Sequence, residues 1–315
     1  MTLKAPLQGA RSELAPAHPL FPRDLSELAE PVKRLYTIGR VGLLTMPSLA
    51  IVGARKASPY GLSCAYRFGK RAAEAGIAVV SGGAIGCDQA AHRGALEAGG
   101  QAIVVLGCGA DVVYPARARL LFEEALAAGG VIASEAPWGS PPAKWAFRKR
   151  NRVIAALAKA TLIVEAGLPS GTFSTADYTL SQGKDVLVVP GSIDSPDARG
   201  SNRLLLQGAT PVIDIESFDD ALNSVLGWPV AGDAARGMAC HETQALEGAG
   251  TGLSEEEFLV LKACTSHPMR VEELAGIAAV DVMHVIRVLS SLELMRKVTR
   301  MRDGRYAAIS PNLPL

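Results

Sequence analysis

From residue 49 onward the chain alternates short, wholly apolar runs with longer amphipathic stretches that end in glycine. The apolar runs fall at 49–52, 78–80, 102–106, 131–133, 161–164, 186–189 and 211–213. Between them, helix-period stretches occupy 60–75, 88–98, 116–128, 172–182, 201–207 and 217–226, with another after the strand at 131–133. Short strands without polar alternation are buried on both faces, and helices between them supply right-handed crossovers. The pattern predicts a doubly wound α/β domain over 47–228, with a mostly parallel sheet of six or seven strands. Residues 1–46 show little sustained period and are expected to form an arm packed on that domain.

The rhythm changes again near the end. Residues 229–252 are rich in Ala and Gly and predict a flexible linker. After them, Ser254-x-x-Glu257 is a capping box that opens a helix. A second helix is expected over 271–278, and a third begins at Asp281. Two short strands flank Asp303-Gly304, a hairpin turn. Three helices and a hairpin over 253–311 predict a small C-terminal winged-helix domain.

Charge then sharpens the picture. The net charge is +1, so no whole-protein field attracts nucleic acid, and any polyanion must meet a local patch. One such patch stands out: Arg148, Lys149, Arg150 and Arg152 put four cations in five positions, interrupted by Asn151 and preceded by Trp145 and Phe147. The run is expected at the start of a helix, where cations oppose the helix dipole, so its placement calls for a functional reason. The two aromatics either stack bases or pack the helix. Five scattered cysteines without metal spacing, no apolar leader and no stretch near 20 apolar residues predict a cytoplasmic protein with reduced thiols, no metal and no membrane partner.

In an open parallel sheet, ligands bind beyond the carboxyl ends of the strands. Three Gly/Ser-rich loops are expected there. One carries Gly53, Arg55, Lys56 and Ser58; the second Ser81, Gly82, Gly83, Gly86 and Asp88; the third Ser170, Gly171, Thr172 and Thr175. Glycines let backbone amides approach an anion, and the following helix adds partial positive charge. Asp88 reads as a helix N-cap and His92 as a packing residue. No P-loop, no Gly-x-Gly-x-x-Gly after the first strand, no nucleophile elbow and no carboxylate cluster accompanies these loops. Phosphate-binding parts without catalytic groups predict a binding protein with no catalytic residues and no cofactor.

The ordered motifs Ile-Val-Gly-Ala-Arg-x-x-Ser-x-Tyr-Gly (51–61), Ser-Gly-Gly-Ala-Ile-Gly-Cys-Asp (81–88), Arg-Asn-Arg-Val-Ile-Ala (150–155), Ser-Gly-Thr-Phe-x-Thr-Ala (170–176) and Gly-Ser-Asn-x-Leu (200–204) closely resemble the DprA family, the DNA-processing proteins of natural transformation. The resemblance implies an extended Rossmann-like domain that binds single-stranded DNA in a positive pocket, loading of the RecA recombinase and a homodimeric working unit. It places Arg55, the 81–88 loop, residues 148–152 and the 170–176 loop in that pocket. Ile85 and Cys87 depart from the family's commoner residues, and the segment before the sheet leaves little room for the extra N-terminal domain of longer members.

The rival expectation is a nucleotide-binding enzyme. The loop Pro169-Ser170-Gly171-Thr172 resembles that of the nucleoside-monophosphate phosphoribohydrolases, but Phe173 to Ala176 follow where that family has glutamates. A second rival, a winged-helix regulator, has a thin reading helix offering mainly His284 and Arg287. Residues 253–310 carry eight Lys/Arg and eight Asp/Glu, so the module is neutral.

Overall fold

The computed structural model describes residues 6–226, 254–266, 268–278, 280–301 and 304–309. The expected linker at 229–252, Cys240 and Asp303 of the expected hairpin turn lie outside these residues. Two compact units form.

The large unit is built on a nine-stranded sheet. Its strands are β1 (Arg11–Leu14), β2 (Leu35–Gly39), β3 (Ser48–Val52), β4 (Ala78–Ser81), β5 (Ala102–Leu106), β6 (Val131–Ser134), β7 (Ala160–Ile163), β8 (Asp185–Val188) and β9 (Thr210–Pro211). They lie in the order β1-β2-β6-β5-β4-β3-β7-β8-β9. From β6 to β9 every pairing is parallel, whereas β1 and β2 run antiparallel to their neighbours. The helices are α1 (Arg23–Ser26), α2 (Pro59–Glu74), α3 (Cys87–Glu97), α4 (Arg119–Ala127), α5 (Lys144–Leu157), α6 (Thr172–Ser181), α7 (Arg199–Leu206) and α8 (Ile215–Leu226).

The apolar strands explain the two-sided core. Every residue of β3, β5 and β7 is buried. Successive side chains of a strand point to opposite faces. Accordingly Ile103 and Val105 join one core with Val153, Ile154 and Leu157 of α5, while Ala102, Val104 and Leu106 join the other with Phe122 and Ala125 of α4.

Two expectations are corrected here. Residues 1–46 are not a separate arm, because their segments 11–14 and 35–39 are strands of the sheet, which therefore has nine strands rather than six or seven. β1 escaped notice because it is a half-exposed edge strand whose sole buried residue is Leu14. It pairs Leu14 with Leu35 and Arg11 with Ile38, and β2 in turn covers β6 with Ile38 opposite Ile132.

The small unit contains α9 (Glu255–Ser266), α10 (Val271–Ala278), α11 (Val282–Leu294) and the antiparallel pair β10 (Val298–Arg300) and β11 (Tyr306–Ala308). Leu274, Val285, Leu289, Leu292 and Val298 form its core. The capping box is present: the Ser254 amide donates to Glu257 at 2.9 Å and the Glu257 amide donates to Ser254 Oγ at 3.2 Å. Asp281 accepts from the amides of Met283 and His284 and so starts α11. This is a winged helix. Its His284 ring lies 2.6 Å from Glu256 Oε2. Among the described residues no single helix is long and apolar enough to cross a membrane.

Candidate functional site

Chain order runs outward from β3 through β4, β5 and β6 on one side, then resumes at β7 on the other. β3 and β7 are thus parallel neighbours whose outgoing loops diverge. A crevice opens at such a topological switch point. It is a cleft of about 540 Å³, lined by residues 52–56 after β3, by Gly167 to Thr172 after β7, and by one face of α5. Arg55, Lys56, Lys144, Arg148 and Arg150 bring five cations to it, against the carboxyls of Asp88 and Asp197. Thr172 and Thr175 stand at the start of α6, whose N-terminal amides add partial positive charge. No histidine or cysteine is among the lining residues.

The cationic run sits inside α5 rather than at its start, because the helix begins at Lys144. A helix turns 3.6 residues per revolution, so five consecutive side chains fan out in different directions. Arg148, exposed, faces the cleft together with Lys144 one turn earlier and Asn151. Arg150 points under the cleft floor and is only 7% exposed. Lys149 and Arg152 leave the cleft altogether. The Lys149 ammonium lies 3.0 Å from Glu135 Oε1, and Arg152 Nη2 lies 2.6 Å from Glu135 Oε2. Arg152 also donates to the backbone carbonyl of Glu30, and is 4% exposed. The sequence grouped Lys149 and Arg152 with the pocket cations. The structure turns them out of the cleft, tying α5 to Glu135 after β6 and to the segment between α1 and β2.

Arg150 is the hub of the floor. Its guanidinium donates to the carbonyl of Gly82 at 3.0 Å and to that of Val105. Burial pushes its pKa down to about 10, with the Asp88 carboxylate pulling the other way, so it stays charged at neutral pH. Asp88 accepts from the amides of Gly82 at 3.1 Å and Ala84 at 3.3 Å. Burial pushes its carboxyl upward, opposed by Arg150 and these amides. The N-cap of α3 is Gly86, so Asp88 lies in the first turn and folds back over the loop instead of capping. Gly82 is required because a Cβ there would stand 2.5 Å from both Arg150 amino nitrogens. Gly86 has φ +98°, and a Cβ would meet the Ala54 carbonyl at 2.2 Å. Ser81 donates to the Ile51 carbonyl at 2.6 Å in the interior. Ser81, Gly82, Gly83 and Gly86 therefore build the floor beneath the cleft, while Ala84 and Asp88 reach its surface.

On the far wall, the Asn151 amide donates to Ser174 Oγ at 2.8 Å and locks α5 onto α6. Ser170 Oγ accepts from the Thr172 amide at 3.2 Å, shaping the loop before α6. Ser58 sits at the start of α2, where its Oγ accepts from the Gly61 amide at 3.1 Å. Phe147 forms part of the cleft wall. The Arg55 guanidinium lies 5.5 Å from its ring centre and Tyr114 packs at 5.3 Å. Trp145 turns away, 70% exposed. His92 is buried as expected of a packing residue. Lys144 and Asp197 are the charged lining residues that sequence reasoning missed. The i,i+4 spacing of Lys144 and Arg148 was the available signal for the first; nothing local marks the second.

The chain is similar to known proteins in sequence and in fold. The family profile described as DNA recombination-mediator protein A matches residues 13–223. Protein Smf of Synechocystis sp. is 30% identical over 93% of this chain and 79% of its own length. Protein Smf of Escherichia coli is 37% identical over 68% of this chain, a match that spans only 59% of that relative. DNA processing protein A from Helicobacter pylori, solved in a study of its single-stranded DNA binding mode, superposes with a TM-score of 0.62 at 30% identity. That match covers 71% of this chain and 99% of the solved one.

Proposed function

The chain belongs to the DNA recombination-mediator protein A family, and from that premise we propose that its cationic cleft holds the phosphate backbone of single-stranded DNA. The observation that carries this reading is the gathering of five cations and a helix N-terminus around one open crevice. Backbone-directed binding needs a charged groove and tolerance of base identity. The rim cations Arg55, Lys56, Lys144 and Arg148 supply the groove, and Phe147 adds an aromatic face. The similarity to the Helicobacter pylori protein, whose single-strand binding was solved, supports the same ligand here.

The protein then shields incoming single strands and delivers them to the RecA recombinase, as a homodimer. A mobility shift with single-stranded and duplex oligonucleotides, with and without RecA, tests both steps. Preferential retention of the single strand and faster RecA filament growth are expected. Equal affinity for duplex, or no effect on RecA, refutes the respective step.

The enzymatic alternative has two carboxyls at the cleft, those of Asp88 and Asp197. Asp88 Oδ2 is held by the amides of Gly82 and Ala84 beside Arg150, which fixes that carboxyl in the loop. Release of free base from AMP would favour that alternative.

A further inference from the structure

Behind the first turns of α5 lies a second cleft, of about 380 Å³. Its walls are mostly apolar, made by Leu106, Pro137, Pro141, Ala146 and Val153, with Trp145 at its edge. Glu135, Lys149 and Ser140 contribute the polar groups. Arg150 lines this cleft as well as the cationic one, so the two share a wall. α5 divides them, with Phe147 and Arg148 on one side and Trp145 and Lys149 on the other.

The two tryptophans of this region make an instructive contrast. Trp138 is fully engaged: it meets Tyr36 edge-on at 5.3 Å, lies under Arg11 at 5.1 Å and donates to Glu13 at 2.9 Å. Trp145 instead leaves 70% of its surface to solvent at the margin of an apolar slot. An indole is among the largest apolar surfaces a chain can expose, and its flat face favours another ring.

We propose that this slot takes one unstacked nucleobase of the strand whose phosphates occupy the cationic cleft, with the base lying against Trp145. The proposal rests on the single-strand reading above and deepens it. A nucleotide that rotates out of its stack about the backbone can cross the end of α5, roughly 10 Å wide with its side chains. The slot offers a mostly apolar environment suited to a ring. Ser140 and the Lys149–Glu135 ion pair stand where the polar edge of a base can meet them.

The test compares binding of an oligothymidylate with that of an abasic oligonucleotide of equal length, which keeps the phosphates and lacks the rings. Full-length wild type, Trp145→Ala and Trp145→Phe are titrated with each by fluorescence anisotropy. Stacking on one aromatic is worth about tenfold in affinity when removed by alanine. Trp145→Ala should lose about tenfold on the thymidylate and nothing on the abasic strand, and Trp145→Phe should recover most of the loss. Equal binding of the thymidylate by wild type and Trp145→Ala overturns the base slot alone. Equal losses on both strands also overturn it, because the residue then acts through the fold. Failure of wild type to bind either strand overturns the single-strand reading, and the base slot with it.

Discussion

Replacing Arg148 and Arg152 one at a time separates the two jobs that a single charge run performs. Arg148 is exposed at the cleft, whereas Arg152 is buried against Glu135 and the Glu30 carbonyl. Each phosphate neutralised on a single strand adds about 0.7 to the slope of log affinity against log salt. If the four rim cations Arg55, Lys56, Lys144 and Arg148 each neutralise one phosphate, the slope is about −2.8, and Arg148→Ala lowers its magnitude to about 2.1. Arg152→Ala should leave the slope unchanged. It strands Glu135 with only Lys149 and removes a tie to the backbone, at a cost of roughly 3 kcal/mol. For a unit of this size that lowers the melting temperature by roughly 10 °C. The assay pairs anisotropy titrations across a salt series with thermal unfolding of the same preparations. A flattened slope with an unchanged melting temperature for Arg152→Ala would refute the division of the run.

His92 is fully buried and burial pulls its pKa down to about 4 from 6.5. The unfolded state therefore binds more protons between those values, and stability should fall by about 3 kcal/mol as pH drops from 6.5 to 4, a loss that His92→Leu should flatten in urea titrations across that range. Gly86→Ala meets both a positive φ and the Ala54 carbonyl, and should cost roughly 3 kcal/mol, read as a lower urea midpoint at unchanged m-value. Arg71 grips Asp219 with two bonds of 2.7 and 2.8 Å between α2 and α8, and Arg71→Ala should cost about 2 kcal/mol, with faster amide exchange concentrated in α8.

The parallel heart of the sheet was legible because burial on both faces forces an unbroken apolar run. β3 and β5 announce themselves by composition alone. β1 and β2 did not, since an edge strand such as Arg-Ser-Glu-Leu needs one inward leucine and takes the rest of its order from its partner. The cationic run was visible, but its distribution was not. Where Lys149 and Arg152 go depends on Glu135, 14 and 17 residues away, and on Glu30, more than a hundred residues earlier. Similarly, glycines in the 81–88 loop look like a phosphate cradle in sequence. Their spacing around Arg150 and Ala54 shows that close packing under the cleft demands them.

The burial of Arg150 has a mechanical consequence. Its charge is fixed between two carbonyls and cannot follow a ligand, whereas Arg55, Lys56 and Arg148 stand on exposed, flexible stems. A polyanion over this cleft meets a stationary well below and several movable handholds above. Under the proposed single-strand reading, the fixed charge sets where the strand sits, and the rim side chains adjust to the spacing of its phosphates.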